Sequence, residues 1–363
     1  AAAAARDAVA DEAAAGTSPS LSEQAVGRQS RRRTETYVNN DLSPLYHLSM
    51  IEAGYTCSDG QYHYKDKLDI LRAWQAQDGD DHPRLLRARL LEHARKLFST
   101  CSARILVFGN ASEAEARELA AAVRAPMRAA KACPPSPADL ALPAMTPRCI
   151  LPPAGTNTRV VIPCRNPKDN NGAINVRLFL GPDTVATSAL TAIIGGLAAQ
   201  PAFTQLRTKE ALGYIVFAGS FREGNAVGLR VIVQSATMTA RQLEDRCESF
   251  LWGFRATLAS MTEERFIENR DASVAKRREA LASVTSAASK VWFEISDGTM
   301  RFSRAAEEVR AISKLTLSQV REAFDRAFAP GAPQRRRLAI IMTEGEGAPD
   351  ADSGDAGADT AAA

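Results

Sequence analysis

A dense run of prolines predicts that the chain is divided into two separately folded parts. Seven prolines fall within twenty residues, namely Pro134, Pro135, Pro137, Pro143, Pro147, Pro152 and Pro153. Proline lacks the backbone N–H and clashes with the preceding helical turn, so neither a helix nor a central strand continues through such a run. Residues 133–158 are therefore predicted to be a linker between two domains, and 363 residues are enough for both.

The part before the linker is predicted to hold a lead-in and an incomplete domain. Residues 1–36 are rich in Ala, Ser, Gln and Arg without hydrophobic periodicity, which is typical of disorder. Within residues 37–132, apolar residues at three and four spacing predict a helix over 83–98. A strand over 103–108 and a helix opened by the capping pair Ser112 and Glu115 are expected to follow.

The part after the linker reads as one complete α+β domain over residues 159–344. Alternating apolar residues predict strands near 160–162, 174–180, 214–217, 229–233 and 338–342, with a turn at 222–225 that contains Gly224. Helical periodicity is found near 184–199, 201–212, 243–258, 263–282, 285–295 and 316–328, and a capping box of Thr316 and Gln319 opens the last helix. This order predicts an antiparallel sheet with helices packed on one face, followed by a disordered acidic tail over 345–363.

Three residues of this domain carry more specific expectations. Asn175 and Arg177 alternate with apolar residues, so they are expected on the polar, unburied face of their strand. Gly213 is expected to terminate the helix over 201–212, because glycine readily adopts the backbone conformation of a helix end.

Composition and charge exclude several classes of protein. Lys and Arg number 45 against 42 Asp and Glu, and a net charge of +3 argues against a uniformly basic nucleic-acid-binding protein. The longest apolar stretch, near 189–199, is shorter than the roughly 18 residues of a membrane span. Six scattered cysteines without a CxxC pair indicate a reducing compartment, so we expect a cytoplasmic protein, with a mitochondrial location left open.

The histidines give no zinc-binding motif. His47, His63, His82 and His93 are the four in the chain, and none lies in an HExxH or HxxEH sequence. Neither the GxSxG motif of serine hydrolases nor the GxxxxGK[ST] phosphate-binding loop is present. We therefore expect no metal to be bound by residues of this chain.

One segment carries a resemblance to a known family. Residues 201–217 read PAFTQLRTKEALGYIVF, followed in order by GLRVIVQS at 228–235 and MTEERF at 261–266. This pattern resembles the C-terminal half of the insulysin branch of the pitrilysin-type inverzincin zinc metallopeptidases. Upstream, ARILVFGN at 103–110 resembles the strand that closes the third homologous domain of that family.

The resemblance implies a fold, a function and partners. The family's related α+β domains form two bowl-like halves that enclose and degrade peptides, and this chain would hold the end of the third domain and the whole fourth. Zinc belongs to the family's N-terminal half, so this chain would be catalytically incomplete and inactive alone. The implied partners are peptide substrates and a zinc-bearing N-terminal half in the same or another chain, and homodimerisation is left open.

The resemblance also assigns roles to three residues. Arg207 and Tyr214 match the family's substrate-binding and catalytic contributions from this half, and Phe203 matches a residue that lines the substrate channel. Arginine and tyrosine are suitable hydrogen-bond donors to the oxyanion of peptide hydrolysis. The residues alone leave other interpretations open: an ion pair of Arg207 or Lys209 with Glu210, a half-buried strand position for Tyr214, and core packing for Phe203.

The sequence is also compatible with a second, non-catalytic function. A zinc-free relative could serve as a non-catalytic peptide-binding or assembly subunit, binding extended peptides at a sheet edge. The two interpretations differ in whether the chain, which begins at Ala1, is a truncated gene product or a separate subunit. Activation by anions is also left open, because Arg277 and Arg278 run into Glu279 where the family has several lysines.

Overall fold

A computed structural model describes residues 22–99, 103–129, 148–279 and 283–344. The helices are α1 (Glu23–Asn40), α2 (Leu45–Cys57), α3 (Tyr64–Asp78), α4 (His82–Ser99), α5 (Glu113–Ala129), α6 (Val185–Ala202), α7 (Ala240–Ser260), α8 (Glu263–Arg278), α9 (Val284–Ser296), α10 (Arg304–Ile312) and α11 (Leu317–Ala327). A 3₁₀ turn, Gly79–Asp81, precedes α4, and a π-helix, Phe203–Lys209, follows α6. The strands are β1 (Ser58–Asp59), β2 (Arg148–Cys149), β3 (Asn157–Pro163), β4 (Gly172–Pro182), β5 (Ile215–Glu223), β6 (Ala226–Ser235) and β7 (Arg337–Thr343).

The chain forms two compact units whose boundaries are not contiguous in sequence. Of the described residues, unit 1 comprises 22–40, 60–99, 103–129 and 283–302, and unit 2 comprises 41–59, 148–279 and 303–344. Residues 41–59 thus belong with the C-terminal unit and 283–302 with the N-terminal one, whereas the sequence predicted one boundary at the proline-rich segment. Residues 133–147 of that segment lie outside the described residues, as do the acidic tail from 345 and the lead-in up to 21.

Unit 1 is helical in its described part. Ser30 of α1 and Asp78 of α3 contact opposite nitrogens of buried His82, at 3.2 and 3.3 Å, which ties three helices together. The prediction of disorder up to residue 36 is therefore wrong from Glu23 onward, because α1 packs on its neighbours despite its weak apolar pattern. The predicted strand over 103–108 is also wrong: the segment has no ladder partner among the described residues.

Unit 2 is built on a five-stranded sheet in the order β3-β7-β4-β6-β5. Its strands pair antiparallel except for β3 and β7, which are parallel, so the expected antiparallel sheet is mixed at one edge. The apolar residues of β4 and β6 at alternate positions face a core formed with α6, α7 and α11. The α+β class is confirmed, with the sheet covered on this face as predicted.

The second face of the sheet is also covered, which the sequence did not predict. Helix α2 packs on β4, β7 and β6 and forms a second apolar cluster with them. Asn175 and Arg177 point to this face and are buried, contrary to expectation. Their polar groups are only partly accommodated: Asn175 donates to the Ser49 carbonyl and Arg177 pairs with Glu223 at 2.9 Å, whereas Asn175 Oδ1 and Arg177 Nε have no hydrogen-bond partner among the described residues.

Helix α6 is the central apolar helix of unit 2. By length and apolar composition alone, Val185–Lys209 would be able to cross a membrane, but half of the apolar window is buried in the fold, as in a core helix. The helix begins at a capping box of Thr184 and Thr187, and α11 begins at the predicted box of Thr316 and Gln319. These caps fix where the helices start relative to the sheet.

Candidate functional site

The segment that carries the family resemblance changes helical form after α6. Pro201 lies inside the last turn of α6, where its ring removes one backbone donor, and the chain then widens into the π-helix. The π-helix closes with the amide of Glu210 donating to the Gln205 carbonyl at 2.9 Å. Short π-helical turns are rare and occur often at functional sites, so this segment is a candidate site on backbone grounds alone.

Gly213 has a different role from the predicted one. A Cβ at this position would lie 2.0 Å from the carbonyl oxygen of Gln234 in β6, so only glycine allows the chain to pass there. The residue in the left-handed region is instead Ala211, with φ of 51°. The turn from the π-helix into β5 is therefore set by a tight backbone approach and one strained alanine.

The three predicted site residues lie together. The guanidinium carbon of Arg207 is 4.9 Å from the ring centre of Phe203 and 4.4 Å from that of Tyr214. Both distances fall within the range of cation–π stacking, which holds a guanidinium plane in place. Phe203 is 40% exposed and Tyr214 79%, so neither ring is a core residue and Tyr214 precedes the strand rather than lying half-buried in it.

Arg207 has no hydrogen bond or ion pair with another described residue. The alternative pair with Glu210 is not formed, because Glu210 accepts two hydrogen bonds from Arg246 of α7, at 2.8 and 2.7 Å, and one from Gln205 at 3.0 Å. The Arg246 guanidinium holds the pKa of Glu210 below its usual range. The N–H groups of Arg207 thus remain open to an external acceptor.

The Glu210–Arg246 contact is a feature that sequence analysis missed. It ties the π-helix to α7, while Leu206, fully buried in the main core, fixes the opposite side of the same turn. The two charged residues are 36 positions apart, and no local pattern indicates their pairing. A cavity of about 860 Å³ lies beside Gln205 and Glu210, between α6, α7 and α8, and none of the three predicted site residues lines it.

The described residues do not fit a metal site. No group of three or more His, Cys, Asp or Glu side chains is placed to hold an ion in the parts of the chain that the structure describes. His82 is engaged by Ser30 and Asp78, and His63 caps α3 through the amide of Lys65. Any metal used by the family would have to be held by residues other than these.

The basic pair near the end of α8 is partly engaged within the fold. Arg277 donates to Ser273 at 2.7 Å and lies 3.7 Å from the Glu308 carboxylate. These contacts reduce the charge that Arg277 offers to an external anion.

Comparisons with known proteins find similarity in the region that includes residues 201–217. Residues 193–292 match the family model described as PQQ synthase PqqF-like, C-terminal lobe domain 4. Peroxisomal insulin-degrading enzyme-like 1 of Arabidopsis thaliana is 30% identical over 175 residues, which is 48% of this chain and 18% of that protein. Human insulin-degrading enzyme is 30% identical over 176 residues, or 48% and 17% of the two chains. A Caenorhabditis elegans relative named as a zinc protease is 34% identical over 171 residues, or 47% and 19%.

Solved structures show the same fold. Pitrilysin superposes with a TM-score of 0.72 at 18% identity, covering 92% of this chain and 33% of its own. The periplasmic protease PqqL from Escherichia coli gives a TM-score of 0.53 at 12% identity, covering 89% and 33%. The matched region spans less than a fifth of the curated relatives described above. Through this region, the chain is similar to domain 4 of the C-terminal lobe of PqqF-like proteins and to part of the insulin-degrading enzymes.

Proposed function

We propose that this chain is the C-terminal, zinc-free half of a peptide-degrading enzyme, in which Arg207 and Tyr214 bind the scissile peptide group. The observation that supports this most is the stacked guanidinium of Arg207, whose N–H groups have no acceptor among the described residues. Beside it stands the phenol of Tyr214, one of the most exposed large side chains in the described structure. Donors held in place without internal partners are suited to an acceptor on a ligand.

The chemistry of peptide hydrolysis needs such donors. When a nucleophile attacks the peptide carbonyl, the oxygen gains negative charge, and donors already aimed at that position stabilise the transition state more than the substrate. The guanidinium of Arg207 offers several N–H donors in one plane, and Tyr214 adds an O–H donor. Phe203, whose ring also lies against the guanidinium, offers an apolar surface to a neighbouring substrate side chain.

The missing parts of the reaction belong to a second half. The described residues do not fit a metal, so in the proposed enzyme zinc and the groups that activate water lie on an N-terminal half, in the same or another chain. The isolated chain is expected to be inactive for this reason. The cytoplasmic location and homodimerisation stay predictions.

The test is activity after assembly with a zinc-bearing N-terminal half. Tyr214→Phe removes one donor and is expected to lower kcat by about 10- to 1000-fold, with a smaller change in KM. The matched control is Lys209→Ala, an exposed neighbour outside the stack, which should leave kcat unchanged. Melting temperatures of both variants should stay near that of the parent, because Tyr214 is exposed. An assembled enzyme whose kcat is indifferent to Tyr214→Phe contradicts the assigned role.

A second candidate function is peptide binding without catalysis. It is favoured by β5, an edge strand of the described sheet that begins directly after Tyr214 and can accept an extended peptide as an additional strand. In that case the chain alone should bind unstructured peptides, and the β5 amides should be protected from hydrogen exchange on binding. Binding without any activity in the assembled protein would favour this function over the first.

A further inference from the structure

Two buried cysteines meet at the small second sheet of unit 2. Cys57 is the last residue of α2, and Cys149 lies in β2, which pairs with β1 so that Ser58 is opposite Cys149. The amide of Ile150 donates to the Cys57 carbonyl at 2.6 Å, and both cysteine side chains belong to one buried apolar cluster. Their exposures are only 3% and 5%. The two cysteines are thus neighbours in the fold although 92 positions separate them.

A cation lies against this pair. The guanidinium of Arg177, itself buried on β4, donates to Glu223 at 2.9 Å and to the Met50 carbonyl of α2 at 3.4 Å, and its charge acts on Cys57. The hydrogen bond from Cys149 lowers the pKa of Cys57; burial opposes this effect, and Arg177 adds to the lowering. The thiolate is the reactive form of cysteine, so the contacts favour Cys57 as the nucleophile of the pair.

The pKa values of the other described cysteines are raised, unlike that of Cys57. Burial raises the pKa of Cys164 and of Cys247, and the pKa of Cys149 is raised by its hydrogen bond to Cys57 and by burial. Cys247 is fully buried in the main core, away from any thiol in the described structure. Cys164 and Cys247 therefore serve as internal references for reactivity.

Access to the pair requires only a local opening. The β1–β2 ladder is two residues long on each strand, its members Asp59 and Arg148 are exposed, and the following Ile150 is 61% exposed. Such short two-stranded ladders have little stability of their own and open far more often than the core. A small oxidant such as hydrogen peroxide can reach Cys57 through that opening.

We propose that Cys57 and Cys149 form an oxidation site that hydrogen peroxide converts to an intramolecular disulfide. The Cys57 thiolate attacks one peroxide oxygen, the O–O bond breaks, and the released hydroxide takes a proton to become water, leaving Cys57 as a sulfenic acid. The Cys149 sulfur then attacks the Cys57 sulfur, the S–O bond breaks, and the hydroxide leaves with the Cys149 proton as a second water. Two thiols and one peroxide give one disulfide and two waters.

The first measurement is peptide mapping of the whole chain after hydrogen peroxide treatment under native conditions. The expected product is a Cys57–Cys149 linked peptide that has lost two hydrogens, formed at least about tenfold faster than Cys247 is oxidised. Reduction with dithiothreitol should return both peptides. A linked peptide that forms only in denaturant, or that joins either residue to Cys101 or Cys133 instead, overturns the proposal.

Variants separate the two roles. Cys149→Ser should leave a Cys57 sulfenic acid that dimedone traps, and Cys57→Ser should slow oxidation of Cys149 to the rate of Cys164. The matched control, Cys164→Ser, should leave the rate of disulfide formation unchanged. If a variant of the pair fails to fold, the linked peptide in the unaltered chain decides alone. A dimedone adduct that accumulates equally with and without Cys149 contradicts the assignment of Cys149 as resolving thiol.

Discussion

Two adjacent glycines of α6 provide a sharp test of the packing that supports the site. A Cβ at Gly195 would lie 2.3 Å from the backbone nitrogen of Ser220 in β5, whereas a Cβ at Gly196 meets nothing within 4 Å. Both residues are helical, so replacing either by alanine gains about 0.5–1 kcal/mol of helix propensity. The two substitutions therefore differ only in the contact with β5.

The magnitudes follow from that contact. The added Cβ at Gly195 would lie 2.3 Å from the Ser220 nitrogen, so the two atoms must separate by more than 1 Å to reach an ordinary van der Waals distance. Such overpacking of a core costs about 1–3 kcal/mol, occasionally more. We expect Gly196→Ala to stabilise unit 2 by about 0.5–1 kcal/mol. Gly195→Ala should destabilise it by up to about 2.5 kcal/mol after the propensity gain is subtracted.

The assay is urea denaturation followed by hydrogen exchange of β6 amides, which lie inside the sheet and report opening of unit 2 as a whole. The midpoint should rise for Gly196→Ala and fall for Gly195→Ala, with unchanged denaturant dependence. Equal stabilisation by both variants would refute the close approach of α6 to β5, and with it the position from which Tyr214 is presented.

Two other predictions concern local strain and pH. Ala211→Gly should stabilise unit 2 by about 1 kcal/mol, because Ala211 has a positive φ that glycine adopts without strain. The same urea assay measures this, and a fall in the denaturation midpoint would contradict the prediction. Hydrogen bonds from Arg89 and His82 lower the pKa of Asp78 in the folded protein. The carboxylate therefore stabilises the fold at pH values above its unfolded pKa of about 3.9, and this stabilisation is lost as the pH falls through the lower folded pKa. Asp78→Asn should therefore destabilise unit 1 at pH 7 but cost progressively less below pH 4, and a pH-independent difference in melting temperature would contradict the role of the carboxylate.

The strands and helices of unit 2 follow closely from local sequence signals. The alternating residues of β4 and β6, the turn at Gly224 and the capping box at Thr316 each lie where the pattern predicts. Asn175 and Arg177 show where such signals fail. The alternation of apolar and polar residues along a strand indicates which residues share a face of the sheet. It does not indicate whether a helix distant in sequence, here α2, covers that face.

Other failures have the same cause, since they depend on partners distant in sequence. Helix α1 is stabilised by contacts with α3 and α4 that its own composition does not suggest. The site residues were identified only through the resemblance carried by residues 201–217. Their mutual stacking was not predictable, because it depends on a π-helix and on a turn that brings Tyr214 back over Arg207.

The structure separates the residues of this segment by physical role. Three residues fix the path of the backbone through contacts within the fold: Leu206 packs in the core, Glu210 pairs with Arg246, and Gly213 lies against β6. Arg207 and Tyr214 stack on each other, but the guanidinium N–H groups find no acceptor among the described residues. A fold that needed Arg207 for stability alone would be expected to give it a carboxylate, as it gives Arg246 and Arg177. The first set therefore maintains the backbone shape, and the second set remains available to an external acceptor, as the proposed peptide binding requires.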